Sequence, residues 1–102
     1  MNAVNEELCI KALEKLCEKN FDYEDYSLTG EKEYAVCLEK THSGWNVYEK
    51  ERNAHNDSFL FTNAIEAGLD FLRRLSPKKD YEEIKNEFFD SLFSQSSLKK
   101  GA

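Results

Sequence analysis

The spacing of apolar residues changes twice along this chain of 102 residues. At first Leu8, Ala12 and Leu16 recur at every fourth position, which is typical of a helix with one buried face. Apolar and polar residues then alternate, which is typical of strands. The helical spacing covers residues 5–19, 64–75 and 81–93, and the alternating region covers residues 21–62. This order predicts an α+β fold with an N-terminal helix, a four-stranded antiparallel meander and two C-terminal helices packed on one sheet face.

A hairpin is the best-defined part of the predicted sheet. Its two alternating segments, residues 34–39 and 45–50, are joined by a short loop that contains Gly44, which suits a β-hairpin. In the second segment, Trp45 and Val47 are expected to face the core. The other strands are predicted at residues 21–28 and 58–62, with a polar turn at residues 52–57.

The length of the chain suits one domain. Asn63, followed by Glu66 three positions later, predicts a capped start to the second helix, and Pro77 predicts its end. We expect residues 1–102 to form a single domain that is ordered from about residue 5 to residue 93. The polar tail at residues 94–102 is expected to fray.

Charge excludes several classes of function. Acidic residues outnumber basic ones by 20 to 14, which gives a formal net charge of −6. Sequence-independent binding to nucleic acid needs clustered positive charge, so it is not expected here. No apolar run approaches the ~18–20 residues that span a bilayer, and the early acids Glu6, Glu7 and Glu14 do not fit a signal peptide. These features predict a cytoplasmic protein with no direct nucleic-acid or membrane partner.

The residues that enzymes and metal sites use are sparse. The three cysteines fit no metal-finger spacing, and buried reduced thiols are expected. His42 and His55 are the only histidines. Neither a nucleophilic pair of Cys37 and His42 nor a metal site made by the histidines and Asp57 has supporting residues nearby. The sequence predicts no enzymatic activity, no catalytic residue, no cofactor and no metal.

Negative charge is concentrated in residues 22–33, which hold five acids and one base, with tyrosines among them. Such a segment suits a surface that binds a basic protein, because aromatic rings anchor interfaces and acids orient the partner. The alternative is that the tyrosines enter the core and the acids keep an edge strand soluble. The candidate partner-binding residues are Asp22, Tyr23, Glu24, Asp25, Tyr26, Glu31 and Glu33.

The middle of the chain resembles a known family. Residues 44–53 read GWNVYEKERN, Phe59 follows in a short predicted strand, and residues 63–75 read NAIEAGLDFLRRL. Together these segments resemble small α+β immunity proteins of bacterial polymorphic toxin systems, which include contact-dependent growth inhibition. The likeness covers roughly residues 34–75, while the first and last helices match only in type and order.

The resemblance implies a cytoplasmic protein that binds a cognate toxin domain and blocks it. Such toxins are often basic nucleases at the C-terminus of large secreted proteins. An acidic, tyrosine-containing surface would then occlude the active site in place of substrate phosphates. The alternative function is a small non-enzymatic adaptor or self-associating domain, which would use an exposed strand edge and form a weak homodimer.

Overall fold

The α+β fold is confirmed by a computed structural model, which describes residues 6–101 and the side chains of residues 6–93. The elements are α1 (Glu6–Asn20), a 3-10 turn (Tyr23–Asp25), β1 (Tyr26–Ser27), β2 (Val36–Thr41), β3 (Gly44–Glu51), β4 (Ala54–Phe61), α2 (Ala64–Leu75) and α3 (Tyr81–Gly101). None of the helices in the described part of the chain combines the length and apolarity needed to cross a membrane.

The strands lie in the order β1-β2-β3-β4 in one sheet. β2, β3 and β4 pair antiparallel, and their hairpin turns are residues 42–43 and 52–53. β1 pairs parallel to β2, with Tyr26 opposite Val36, so the prediction of a fully antiparallel meander is wrong at this strand. Parallel pairing needs a crossover connection, and the segment 28–35 can supply one because the parallel ladder is only two residues long.

Four predicted elements also differ from the structure in their boundaries. Within the predicted first strand, Tyr23–Asp25 form a 3-10 turn instead, and only Tyr26–Ser27 form a strand. Tyr34 has a φ of 58°, a left-handed value that strands do not use, so β2 starts after it. β4 begins at Ala54, well inside the predicted polar turn. The last helix continues to Gly101, past its predicted end near Phe93. The predicted fraying stays a prediction, since the side chains of residues 94–102 lie outside the described residues.

All three helices contribute to one apolar core on one face of the sheet. Phe71 of α2 and Phe88 of α3 are fully buried, and they pack with Leu38, Trp45 and Val47 of the sheet. This burial confirms that Trp45 and Val47 face the core. The remaining buried members of this core are Cys9, Ala12, Leu13, Leu16, Cys17, Tyr26, Ala64, Ala67, Leu72, Ile84 and Leu92.

The helix α2 packs closely against both other helices at Gly68. A Cβ atom at this position would lie 3.1 Å from Cζ of Phe88 and 3.3 Å from Cδ1 of Leu13. The missing side chain therefore permits the close approach. The capped start of α2 is confirmed, because the Asn63 side chain accepts a hydrogen bond from the Glu66 backbone N–H at 2.8 Å.

The opposite face of the sheet carries a second, smaller cluster, which consists of Ala35, Cys37 and Tyr48. We call this side of the sheet the outer face. Cys37 and the other two cysteines are buried and free, as expected. The His55 ring stacks on the Tyr48 ring with 4.0 Å between centroids, and the Cys37 Sγ donates to the Lys32 carbonyl at 3.6 Å. The 28–35 connection and β4 therefore shield this cluster.

Arg74 at the end of α2 joins that helix to β4. Its Nε donates to Asp70 at 2.9 Å, and its Nη2 donates to the backbone carbonyl of Asp57 at 2.5 Å. Asp57 has a φ of 51° and lies where the β3–β4 register shifts between Val47 and Glu49. Such a shift is typical of a β-bulge, so Arg74 holds the helix against an irregular point of the edge strand.

Candidate functional site

The 3-10 turn after α1 places four of the predicted binding residues at the surface. Asn20 ends α1, and the Asp25 backbone N–H then donates to the Asp22 carbonyl at 2.9 Å. The side chains of residues 22–25 are exposed, and that of Tyr23 is 76% accessible. Among the described residues, no group forms an ion pair or a hydrogen bond with the side-chain carboxylates of Asp22, Glu24 or Asp25.

Tyr26, also in the predicted binding set, lies mainly inside the molecule. It is 8% accessible and belongs to the main core. Its ring meets the exposed Tyr23 ring edge to face, with 6.1 Å between centroids. Burial raises the pKa of Tyr26, and the nearby carboxylates of Glu18 and Glu14 raise it further. The two tyrosines therefore differ: one is a surface group and the other supports it from below.

Glu31 and Glu33, the last two predicted residues, pair with groups of the same chain. Glu31 Oε2 lies 2.8 Å from Nε2 of His55. Glu33 accepts from the Lys50 ammonium at 2.8 Å and from the Arg52 backbone N–H at 2.9 Å. The hydrogen bond from Lys50 is the main reason why the pKa of Glu33 lies below its usual value. Residues 22–25 thus form one open surface. Glu31 and Glu33 are instead paired with side chains of β4 and β3.

A cavity of about 520 Å³ lies beside the turn. Its lining residues are Glu14, Glu18, Phe21, Tyr23, Tyr26, Ser27, Leu28, Thr29 and Lys32. Glu14 and Glu18, which α1 contributes to this cavity, are absent from the predicted binding residues. Their spacing of four positions puts both on one face of the helix, and the turn follows directly from the end of that helix. From this spacing, both glutamates could have been predicted to lie beside the acidic segment at residues 22–33.

Lys32 is the basic residue of this region. Its ammonium lies 3.5 Å from the centroid of the Tyr23 ring. It also donates to the backbone carbonyl of Tyr23 and, at 3.4 Å, to that of Tyr26. The ring face and the two carbonyl oxygens surround the ammonium, and we call these three groups the ammonium cradle.

The catalytic and metal candidates are not assembled. Cys37 lies near the start of β2 and His42 follows its end, so a strand rise of ~3.3 Å per residue separates them by roughly 16 Å. Burial raises the pKa of the Cys37 thiol, which disfavours a thiolate nucleophile. Within the residues that the structure describes, no three His, Cys, Asp or Glu side chains are grouped to hold a metal ion.

Comparisons of the chain with protein-family models, with curated proteins and with solved structures found no match. The likeness to immunity proteins therefore stays a prediction from the residues that carry it. The site must be interpreted from its own geometry and charge.

Proposed function

We propose that this chain is an immunity protein, which binds a basic toxin domain and blocks its active site with the acidic turn at residues 22–25. One observation carries the proposal. Asp22, Glu24 and Asp25 flank the exposed Tyr23 in the same turn, and their carboxylates have no ion-pair partner among the described residues. A partner's lysines and arginines can bind them without breaking an internal pair.

The physical chemistry of association supports the same proposal. A negative patch on a chain with a net charge of −6 attracts a positively charged cleft over a distance and speeds encounter at low salt. Tyr23 adds a large ring that loses little rotamer entropy, and such rings anchor interfaces. A toxin domain that cleaves nucleic acid has a basic cleft to receive phosphates, so it presents the complementary surface.

A co-expression experiment tests the proposal. In the family that the sequence resembles, an immunity gene usually follows its toxin gene directly. The domain encoded directly upstream is therefore expressed in bacterial cells together with this protein or with its Glu24→Lys/Asp25→Lys variant. We expect the wild-type protein to restore growth and the variant to fail, with association at low salt slowed about tenfold or more. The matched control is Glu83→Lys/Asp90→Lys, which changes the same charge at exposed positions of α3.

Two outcomes contradict the proposal. The first is an upstream product that does not inhibit growth or is not bound. The second is full protection by a folded Glu24→Lys/Asp25→Lys variant. A control variant that also loses protection would show that net charge acts, rather than the turn.

A second candidate function, self-association, rests on β4. This strand is eight residues long and forms an edge of the sheet. Phe59 and Leu60 are 58% and 47% accessible, and the strand contains neither lysine nor proline, which commonly protect edges. Antiparallel pairing with a second copy would satisfy its free backbone groups.

Sedimentation equilibrium over a range of concentrations tests this second function. We expect a weak dimer that Leu60→Lys dissociates, because the new charge would be placed in the interface. Thr29→Lys serves as the control, because Thr29 is also exposed but lies outside β4. This variant should leave the dimer intact. A wild-type monomer at every concentration would contradict self-association.

A further inference from the structure

The cavity beside the 3-10 turn contains hydrogen-bond acceptors that the Lys32 ammonium does not bind. The Lys32 ammonium fills the cradle made by the Tyr23 ring and two backbone carbonyls. The Tyr26 hydroxyl, on a side chain that also lines the cavity, forms no hydrogen bond with any described residue. Although Tyr26 as a whole is 8% accessible, its hydroxyl is not sealed from solvent, so this acceptor is open to the cavity.

The helix side of the same cavity is negatively charged. Glu14 and Glu18 line it from α1, and both are exposed. Neither carboxylate forms an ion pair with a described residue. The cavity therefore presents two carboxylates, one phenol and an aromatic face around a volume of about 520 Å³, which is a size typical of ligand pockets.

The shape of the cradle favours an ammonium over a guanidinium. An ammonium is compact and carries three donors, which match the two carbonyl oxygens and the ring face. A planar guanidinium suits bidentate pairing with a carboxylate better than a rounded cradle of this kind. Lys32 shows that a lysine side chain reaches all three groups at once.

We propose that this cavity binds a lysine side chain of the protein's partner, which takes the place of Lys32 in the ammonium cradle. The incoming lysine gains the same ring and carbonyls, and it adds Glu14, Glu18 and the Tyr26 hydroxyl, which Lys32 leaves unused. The identity of the partner rests on the proposed function, whereas the lysine-binding cavity can be tested without any toxin.

The test uses Nα-acetyl-lysine N-methylamide as the probe and follows the backbone amides by two-dimensional NMR. We expect it to shift amides around residues 14–32 in a Lys32→Ala variant. The affinity of that variant should exceed that of the wild-type protein about tenfold, which is the gain for a site that Lys32 fills about nine-tenths of the time. The capped norleucine analogue, which has no charge, should leave these amides unchanged.

A second substitution assigns the binding to the cradle. In the Lys32→Ala background, Tyr23→Leu should weaken lysine binding about two- to fivefold, as expected for the loss of one cation–π contact. Tyr34→Leu is the matched control, because Tyr34 is also an exposed tyrosine and does not line this cavity. Well-dispersed spectra of every variant establish that the fold is intact.

Three results would overturn the inference. They are the absence of shifts in folded Lys32→Ala, equal shifts with capped norleucine, and tighter binding of capped arginine. Failure of the proposed function has a different signature, since lysine binding would then persist while co-expression gives no protection.

Discussion

The two faces of the sheet are stabilised in different ways. The face under the helices is covered by apolar side chains from all three helices. Among the described residues, the buried apolar residues of the outer face are Ala35, Cys37 and Tyr48, and charged groups close over them. Apolar residues at regular spacing made the helix face predictable from the sequence. The outer face depends on pairings between distant residues, which periodicity does not reveal.

Lys50 is the centre of the outer face. It is 8% accessible, and its ammonium donates to Glu33 and to the Arg52 carbonyl. The Tyr34 backbone N–H donates to the Lys50 carbonyl at 2.8 Å. A buried charge is costly unless it is paired, so the 28–35 connection is required to supply Glu33. The helix face is therefore stabilised mainly by the burial of apolar area, whereas the outer face depends on the pairing of a buried charge.

The largest effect is expected from truncation on the helix face. Phe71→Ala removes a fully buried ring and should lower the free energy of unfolding by about 3–5 kcal/mol. Urea denaturation followed by circular dichroism measures this loss. A loss of less than about 1 kcal/mol would mean that the helix face is not the main source of stability.

A smaller effect is expected on the outer face. The Tyr48 hydroxyl donates to Glu39 at 2.8 Å, and Tyr48→Phe removes this bond while keeping the ring that stacks on His55. We expect the same urea experiment to show a loss of about 1 kcal/mol. A loss as large as that of Phe71→Ala would remove the contrast between the two faces.

The smallest effect is a dependence on pH. Pairing lowers the pKa of Glu33 from its usual 4.5, so the stability it adds is complete above that value and is lost as the pH falls through the lowered pKa. Glu33→Gln should therefore melt below the wild-type protein at neutral pH, with the gap closing at acid pH. Thermal melts over this range measure the gap.

Glu24→Gln is the control for this pH experiment, because the Glu24 carboxylate is exposed and has no described ion-pair partner. The control should melt close to the wild-type protein at every pH. A gap for Glu33→Gln that stays constant down to about pH 3 would contradict the role assigned to its ionised form.

The elements that were predicted correctly have strong local signals. The helices follow from apolar spacing, and Asn63 caps α2 as its pattern indicates. The predicted first strand is wrong over Tyr23–Asp25, because an aromatic-rich composition does not distinguish a strand from a 3-10 turn. In the structure Tyr23 lies on the surface and Tyr26 in the core, where it belongs to the same cluster as the buried residues of α1.

The candidate site was predictable only in part. The exposed acids of residues 22–25 could be identified from the local sequence, because they follow one another closely along the chain. The local sequence did not show that Glu31 and Glu33 pair with His55 and Lys50, because those partners are 24 and 17 positions away. Lone charges in a sequence therefore indicate a possible surface, and only the fold shows which of them are already paired.

The contact between Arg74 and the Asp57 carbonyl has a consequence for colloidal behaviour. A bulge twists an edge strand away from the straight geometry that fibril growth requires. Arg74 holds that irregular backbone in place from α2, beside the aromatic residues of β4. Without this guanidinium the bulge would lose its anchor on α2, so we expect the folded protein to precipitate more readily.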